Sequence, residues 1–157
     1  MPTSRTCCGG KASRCTVLNA SAITLALLTK LQTDAPLLAL LPDGTWYAEA
    51  PPGLQRFVIV SLISCVDEPL FGGVAFKDAL YLVEARALST SGGDVYAAFA
   101  RIATLLTDAG LTLTGYAPML MRFEEETDLV EVDAADASIR WHRCGGHLHV
   151  MVAPLVS

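Results

Sequence analysis

Two histidines near the end of the chain, His147 and His149, are separated by a single residue. In a β-strand this spacing places both imidazoles on one face, where a third ligand would complete a transition-metal site. His142 and Cys144 are close enough in sequence to supply that ligand. Paired histidines on a strand are nevertheless more often solvated or interfacial, so we expect no metal and no other cofactor.

A second candidate is an acidic segment that could bind divalent cations or provide paired acid–base carboxylates. It contains Glu124, Glu125, Glu126, Asp128, Glu131, Asp133 and Asp136. The segment lacks the regular spacing and the glycine of a calcium loop, and dense like charge usually stays in water. We interpret it as a solvated rim. If its first four residues line a channel for DNA, repulsion would let the polymer slide through without binding.

The other motifs give no sign of catalysis. The glycine pairs Gly72-Gly73, Gly92-Gly93 and Gly145-Gly146 lack the spacing of a phosphate-binding loop, and we interpret them as turns. The chain has no G-x-S-x-G motif, and its five cysteines include no C-x-x-C pair. Free thiols in a reducing compartment are the simplest interpretation of these cysteines. We therefore predict that the protein is not an enzyme.

The composition indicates one domain that associates with other subunits. Hydrophobic residues make up 52% of the 157 residues and charged residues only 17%. Such an apolar excess predicts surface patches that partner subunits bury. The net charge of −5 argues against a protein that grips nucleic acid through its phosphates. The longest apolar stretches, around residues 35–41 and 57–63, are too short to span a bilayer, so we expect no membrane insertion.

We divide the chain into an N-terminal arm, residues 1–16, and a single α/β domain, residues 17–157. The arm contains Gly9, Gly10 and three basic residues without periodicity, and we expect it to contact a neighbouring chain. Its basic start followed by apolar residues resembles a signal peptide, but we expect it to be retained and the product to be assembled in the cytoplasm.

Helical periodicity predicts two main helices. The first extends from Val17 to about Gln32, and the second follows a capping-box pattern at Ser91 and ends near Gly110. A short helical turn ending at Leu41 follows the first helix. Leu18 and Leu25 lie on the more polar side of the first helix, which makes them part of a wide core stripe or of a second contact face.

Alternating apolar residues predict the strands. We expect a short strand at 45–49, a central strand around 57–63, further strands at 79–88 and 119–124 and a final strand at 148–152. Residues 138–142 are a candidate for pairing at an edge of the sheet. Residues 66–76 are predicted to form an exposed loop, whose apolar residues Leu70, Phe71, Val74 and Phe76 become, with Leu18 and Leu25, candidate subunit-interface residues. The pattern predicts an α+β fold: a mixed or largely antiparallel sheet of four to five strands with two main helices on one face.

The order of these elements, together with several local strings, resembles the tail terminator and tail completion proteins of long-tailed bacteriophages. The strings are Leu37–Leu41, Asp43–Tyr47, Phe57–Val60, Tyr81–Glu84, the alanine-rich helix after Ser91-Gly92-Gly93, and His149–Val152. The resemblance covers residues 17–154. Two departures are the Gln55-Arg56 pair, where such proteins commonly have a proline before the central strand, and the cysteine-bearing arm.

The resemblance implies a structural virion protein of the phage neck. Such a protein forms a hexameric ring that caps the end of the tube built by the tail tube protein and ends its polymerisation. The ring also binds the head–tail connector protein, and DNA passes through it without specific binding. Three alternatives remain: a head-side connector or stopper ring, a small metal-dependent enzyme using the three histidines and the acidic segment, and a cellular α/β adaptor that forms no ring.

Overall fold

The computed structural model describes residues 16–70, 73–88, 92–107, 110–133 and 136–155, and the described side chains exclude those of residues 16–21, 70, 73 and 74. The predicted arm, apart from Thr16, lies outside the described residues. No helix in the described part of the chain is long and apolar enough to cross a membrane.

Three helices and five strands make up the described chain. In chain order they are α1 (Thr16–Gln32), α2 (Ala35–Leu40), β1 (Thr45–Tyr47), β2 (Arg56–Leu70), β3 (Gly73–Leu88), α3 (Gly93–Thr107), β4 (Tyr116–Val132) and β5 (Arg140–Pro154). The strands form one sheet in the order β1-β2-β3-β5-β4. β1 is parallel to β2, and the other three pairings are antiparallel. The predicted α+β fold with a mixed sheet is therefore confirmed.

The core lies between the helices and one face of the sheet. Helix α1 buries Ile23, Leu27 and Leu31 at helical spacing, and α3 buries its own stripe from Val95 to Leu106. Both stripes pack against the same alternating set of strand residues, among which Tyr81 is fully buried. The two main helices thus occupy one face, as the periodicity predicts.

Asp34 connects the short helix α2 to α3. This residue caps α2 by accepting a hydrogen bond from the backbone N–H of Leu37 at 2.9 Å. It also accepts two hydrogen bonds from Arg101 of α3, the shorter at 2.7 Å. These hydrogen bonds, led by that of the Arg101 side chain, hold the pKa of Asp34 below its usual range. One carboxylate therefore fixes the start of α2 and its position beside α3.

The predicted loop at residues 66–76 is wrong. β2 continues to Leu70 and β3 begins at Gly73, so this segment forms the end of a long antiparallel hairpin. Pro69 is accommodated because the pairing register shifts between Glu68 and Pro69, and a proline fits a strand where the regular ladder is interrupted. Pro69 therefore marks an irregularity within paired strands.

The predicted edge strand at 138–142 is also wrong. Those residues belong in part to β5, which lies between β3 and β4 and is not at an edge. Gly145-Gly146, predicted as a turn, lies in the middle of this strand. A Cβ atom at Gly145 would lie 2.5 Å from the carbonyl oxygen of Val83, so glycine permits the close approach of β3.

Candidate functional site

The face of the sheet opposite the helices, which we call the open face, carries most of the chemistry-bearing residues. It is formed by the even-numbered residues of β3 from Asp78 to Arg86, the odd-numbered residues of β5 from Trp141 to His149, and their neighbours in β2 and β4. No described helix packs on it. Strand alternation alone selects these residues, because successive side chains point to opposite faces.

Both histidines of the His147-x-His149 pair lie on the open face. The Nδ1 atom of His147 lies 3.0 Å from a carboxylate oxygen of Glu125. His149 lies between two carboxylates: its Nδ1 atom is 3.1 Å from Glu124, and its Nε2 atom contacts Asp78. The histidines therefore link three strands through polar contacts.

The other two candidate metal ligands lie elsewhere. Cys144 belongs to the helix-covered side, where burial raises the pKa of its thiol to about 11. His142 has the same strand parity as Cys144, and its Nε2 atom is buried without a hydrogen-bond partner among the described residues. The described residues hold no group of three or more His, Cys, Asp or Glu side chains placed to bind a metal ion. The set proposed for a metal-dependent enzyme is therefore split between two faces.

A buried ion-pair network crosses the open face beside the histidines. The carboxylate of Glu84 lies 2.6 Å from Arg86 and 2.7 Å from Arg143, and only 4% of its side chain is exposed. Arg143 also contacts Glu131 of β4. Burial raises the pKa of Glu84, but the hydrogen bonds from the two arginines outweigh it and leave that pKa below its usual range. Because Arg86 and Arg143 are directly opposite each other, Glu84 neutralises what would otherwise be a repulsive pair.

The four acidic residues predicted to line a channel do not share a face. Glu124 and Glu125 contact the histidines of the open face, with a register shift in β4 between Phe123 and Glu125. Asp128 pairs with Cys144 and contacts the Tyr96 hydroxyl of α3, which places it on the helix side. Glu126 has the same parity as Asp128. The four residues therefore cannot all line the same wall, and channel lining by those of either face remains a prediction.

The open face has an excess of negative charge. Among the described residues it carries the carboxylates Asp78, Glu84, Glu124, Glu125 and Glu131 and the guanidiniums Arg86, Arg122 and Arg143. Each of the three arginines is paired with one of these carboxylates. No guanidinium on the described part of the open face is therefore left unpaired to bind a nucleic-acid phosphate.

The predicted interface residues are only partly described. Leu25 is 65% exposed and lies in a groove of about 630 Å³ between α1 and residues 110–114. Phe76 is half-buried in the distal part of the hairpin. The side chains of Leu18, Leu70, Phe71 and Val74 lie outside the described residues. An interface role for all six remains a prediction.

The two edges of the sheet are a feature that sequence reasoning missed. β1 pairs only with residues 58–60 of β2, so the outer side of β2 from Ser61 onward faces no other described strand. β4 is the opposite edge over its whole length of 17 residues. Both edges expose large apolar side chains, including Ile63 and Val66 on β2 and Met119 on β4. The apolar alternation was visible in the sequence, but strand order was not.

Two solved structures share this fold. One belongs to the virion of a native gene transfer agent particle, with a TM-score of 0.72 and 21% sequence identity over 88% of this chain and 99% of that chain. The other is a protein without a descriptive name, with a TM-score of 0.58 and 12% identity over 89% of this chain and 99% of that chain. No family model matches the chain, and no curated protein matches it. At these identities the likeness shows the fold.

Proposed function

We propose that this chain is a structural virion protein of a phage-like particle and that it forms a ring in the neck, where it caps the tail tube and joins it to the head. The observation that carries the proposal is the fold shared with a protein of the gene transfer agent virion along 99% of that protein's length. The shared fold also covers 88% of this chain.

The surface of the chain supports an assembly role. Large apolar side chains are half or more exposed at Leu25, Ile63, Val66, Met119 and Leu129. Such residues are distributed over α1 and both sheet edges, which gives the subunit more than one apolar contact surface. A ring subunit needs a lateral contact on each side and an axial contact with the tube.

In this ring the open face lines the channel and the helices lie outside. The distribution of charge supports this orientation, because carboxylates outnumber guanidiniums on the open face, whereas the only charged residues of α1 and α3 are Lys30, Asp94 and Arg101. An acidic wall repels DNA and lowers the friction of its passage. In this role the chain performs no bond-breaking step, and its carboxylates and histidines serve as a charged, hydrogen-bonded lining.

Mass measurement of the purified protein tests the ring. Six copies of the 16.7 kDa chain would give a closed particle of about 100 kDa, visible as a ring in negative stain. A monodisperse monomer at high concentration, unchanged by addition of tail tubes, would overturn the proposal.

Co-sedimentation assigns the position of the ring. A tail terminator pelleted with preformed tail tubes should stop further addition of tube protein, and the purified head–tail connector should bind to the capped end. A ring that ignores the tubes and binds only the portal-side assembly would instead be the head-side connector. A stoichiometric metal in the purified protein would revive the enzyme alternative.

A further inference from the structure

We infer that the two free sheet edges join neighbouring copies of the chain: the outer side of β4 in one copy pairs antiparallel with the outer side of β2 in the next. This inference rests on the proposed ring and names the surfaces that close it. The result would be one continuous belt of sheet around the channel.

Neither edge is paired along its whole length with another of the described strands. Residues 61–70 of β2 extend beyond β1 and face no described strand on their outer side. The outer side of β4, residues 116–132, faces none of the described strands either. A long edge of unpaired N–H and C=O groups is a template for a further strand, and proteins generally cover it or pair it.

The direction of the strands makes a head-to-tail junction antiparallel. β2, β3, β5 and β4 alternate in direction along the sheet, so β4 is antiparallel to β2. The two free edges also lie at opposite sides of the sheet. Contact between two different surfaces of identical subunits is heterologous, and it generates a closed ring when the rotation closes.

The apolar residues of the two edges lie at the same height. Val66 pairs with Asp78, Asp78 pairs with Met151, and Met151 pairs with Leu120. Val66 on one edge is therefore level with Leu120 on the other, next to Met119. A closed ring has no translation along its axis, so residues of equal height meet where strands run along that axis. Val66 is 50% exposed and Met119 is 57% exposed, and the junction would bury both.

Charge favours this junction over a two-fold pairing of β4 with another β4. Such a pairing would place the run of Glu124, Glu125 and Glu126 beside a second copy of itself, and like charges opposite each other destabilise a sheet. Residues 61–66 of β2 contain no charged side chain. The acidic edge of β4 is therefore electrostatically compatible with β2 of the next copy, whereas a second β4 would repel it.

A charge-swap experiment tests the junction. Val66→Lys and Met119→Glu each place a charge in an apolar contact, and each single variant should shift the particle from the ring mass to the monomer mass. The double variant carries both substitutions in every copy, brings opposite charges together at each junction, and should restore the ring. Leu155→Lys is the matched control, because Leu155 is 59% exposed but follows the last strand, and its variant should keep the ring mass.

Amide hydrogen exchange gives a measurement that does not depend on the exact register. Ser61, where the free edge of β2 begins, is level with Glu125 of β4. As the protein concentration rises through the assembly range, peptides covering 61–70 and 116–125 should therefore gain protection, while the helix α3 peptides should not. A wild-type ring whose mass survives both single variants, without added protection at these edges, overturns the edge pairing and leaves the proposed ring intact. A wild-type monomer overturns both.

Discussion

The guanidinium of Arg143 on β5 lies 2.7 Å from the carboxylate of Glu84 on β3, and both side chains are largely withdrawn from water. The pair connects two adjacent inner strands on the side of the sheet that no described helix covers. Removing Arg143 would leave the buried carboxylate of Glu84 with Arg86 as its remaining ion-pair partner, so its desolvation would be only partly offset. The open face therefore contributes to the stability of the fold and is not only a part of its surface.

Replacing Arg143 with Met should lower the free energy of unfolding by about 2 kcal/mol, because buried Glu84 would lose its cross-strand partner and keep only Arg86. Urea denaturation monitored by circular dichroism measures the change. The double variant Arg143→Met/Glu84→Gln should be less destabilised than the single one. Arg122→Met is the control, since the Arg122–Glu124 pair is exposed and its loss should leave the midpoint nearly unchanged. Equal effects of Arg143→Met and Arg122→Met would contradict the argument.

The same carboxylate predicts a pH dependence of stability. The pKa of Glu84 in the folded protein lies below the ordinary value of 4.5, because the arginine hydrogen bonds outweigh burial. Its ionised form therefore stabilises the fold above pH 4.5, and that stabilisation is lost as the pH falls through the folded pKa. Glu84→Gln should be less stable than wild type at neutral pH, and the gap should narrow below pH 4.5. Thermal unfolding at several pH values tests this, and a gap that widens on acidification would refute it.

The double role of Asp34 predicts different results for two substitutions. Asp34→Ala removes the cap of α2 and the acceptor for Arg101, and should cost at least about 1 kcal/mol of unfolding free energy. Asp34→Asn keeps an oxygen that can cap the helix but loses the charge, so it should cost less than the alanine variant. Denaturant titration of the two variants separates the cap from the ion pair. Equal midpoints for the two variants would show that the whole loss of stability comes from the charge of Asp34 and none from the helix cap.

Because Gly145 lies in the middle of β5, replacing it with alanine should be unusually destabilising. At Gly145 an added Cβ would meet the backbone of Val83 at 2.5 Å and the Cγ atom of Glu84 at 2.7 Å, so β3 and β5 would have to move apart. Gly145→Ala should therefore destabilise the protein by about 1 to 3 kcal/mol. Gly93→Ala is the control, because nothing lies within 4 Å of its Cβ position at the start of α3. The first variant should melt earlier than wild type and the second should not.

Periodicity was sufficient to predict the helices and the inner strand but not the extent of the hairpin. The stripe of Ile23, Leu27 and Leu31 has a local cause, since one helix face must meet a core. Pro69 favoured the predicted loop at 66–76, because a proline has no N–H to donate. Whether a strand tolerates it depends on the position of that residue in the pairing, which the sequence does not show. The candidate site depended on strand order in the same way: the acidic run was visible, but its division between two faces followed from pairing and a register shift.

Two neighbouring glutamates on opposite faces provide the sharpest test of the proposed channel. Glu125 contacts His147 on the open face, whereas Glu126 has the opposite strand parity and pairs with Gly146. Both are exposed, so reversing either charge changes the net charge equally without disturbing the core.

If the open face lines the channel, Glu125→Lys would add a cation at each subunit where DNA passes and should slow DNA ejection from assembled particles. The slowing should weaken as salt rises, because it depends on phosphate contacts. Particles that carry Glu126→Lys should eject DNA at the wild-type rate. Ejection kinetics measured by dye fluorescence at low and moderate salt decide between them. An effect of Glu126→Lys alone would place the helix-covered side of β4 towards the DNA and reverse the proposed orientation, and no effect of either would remove this part of β4 from the channel wall.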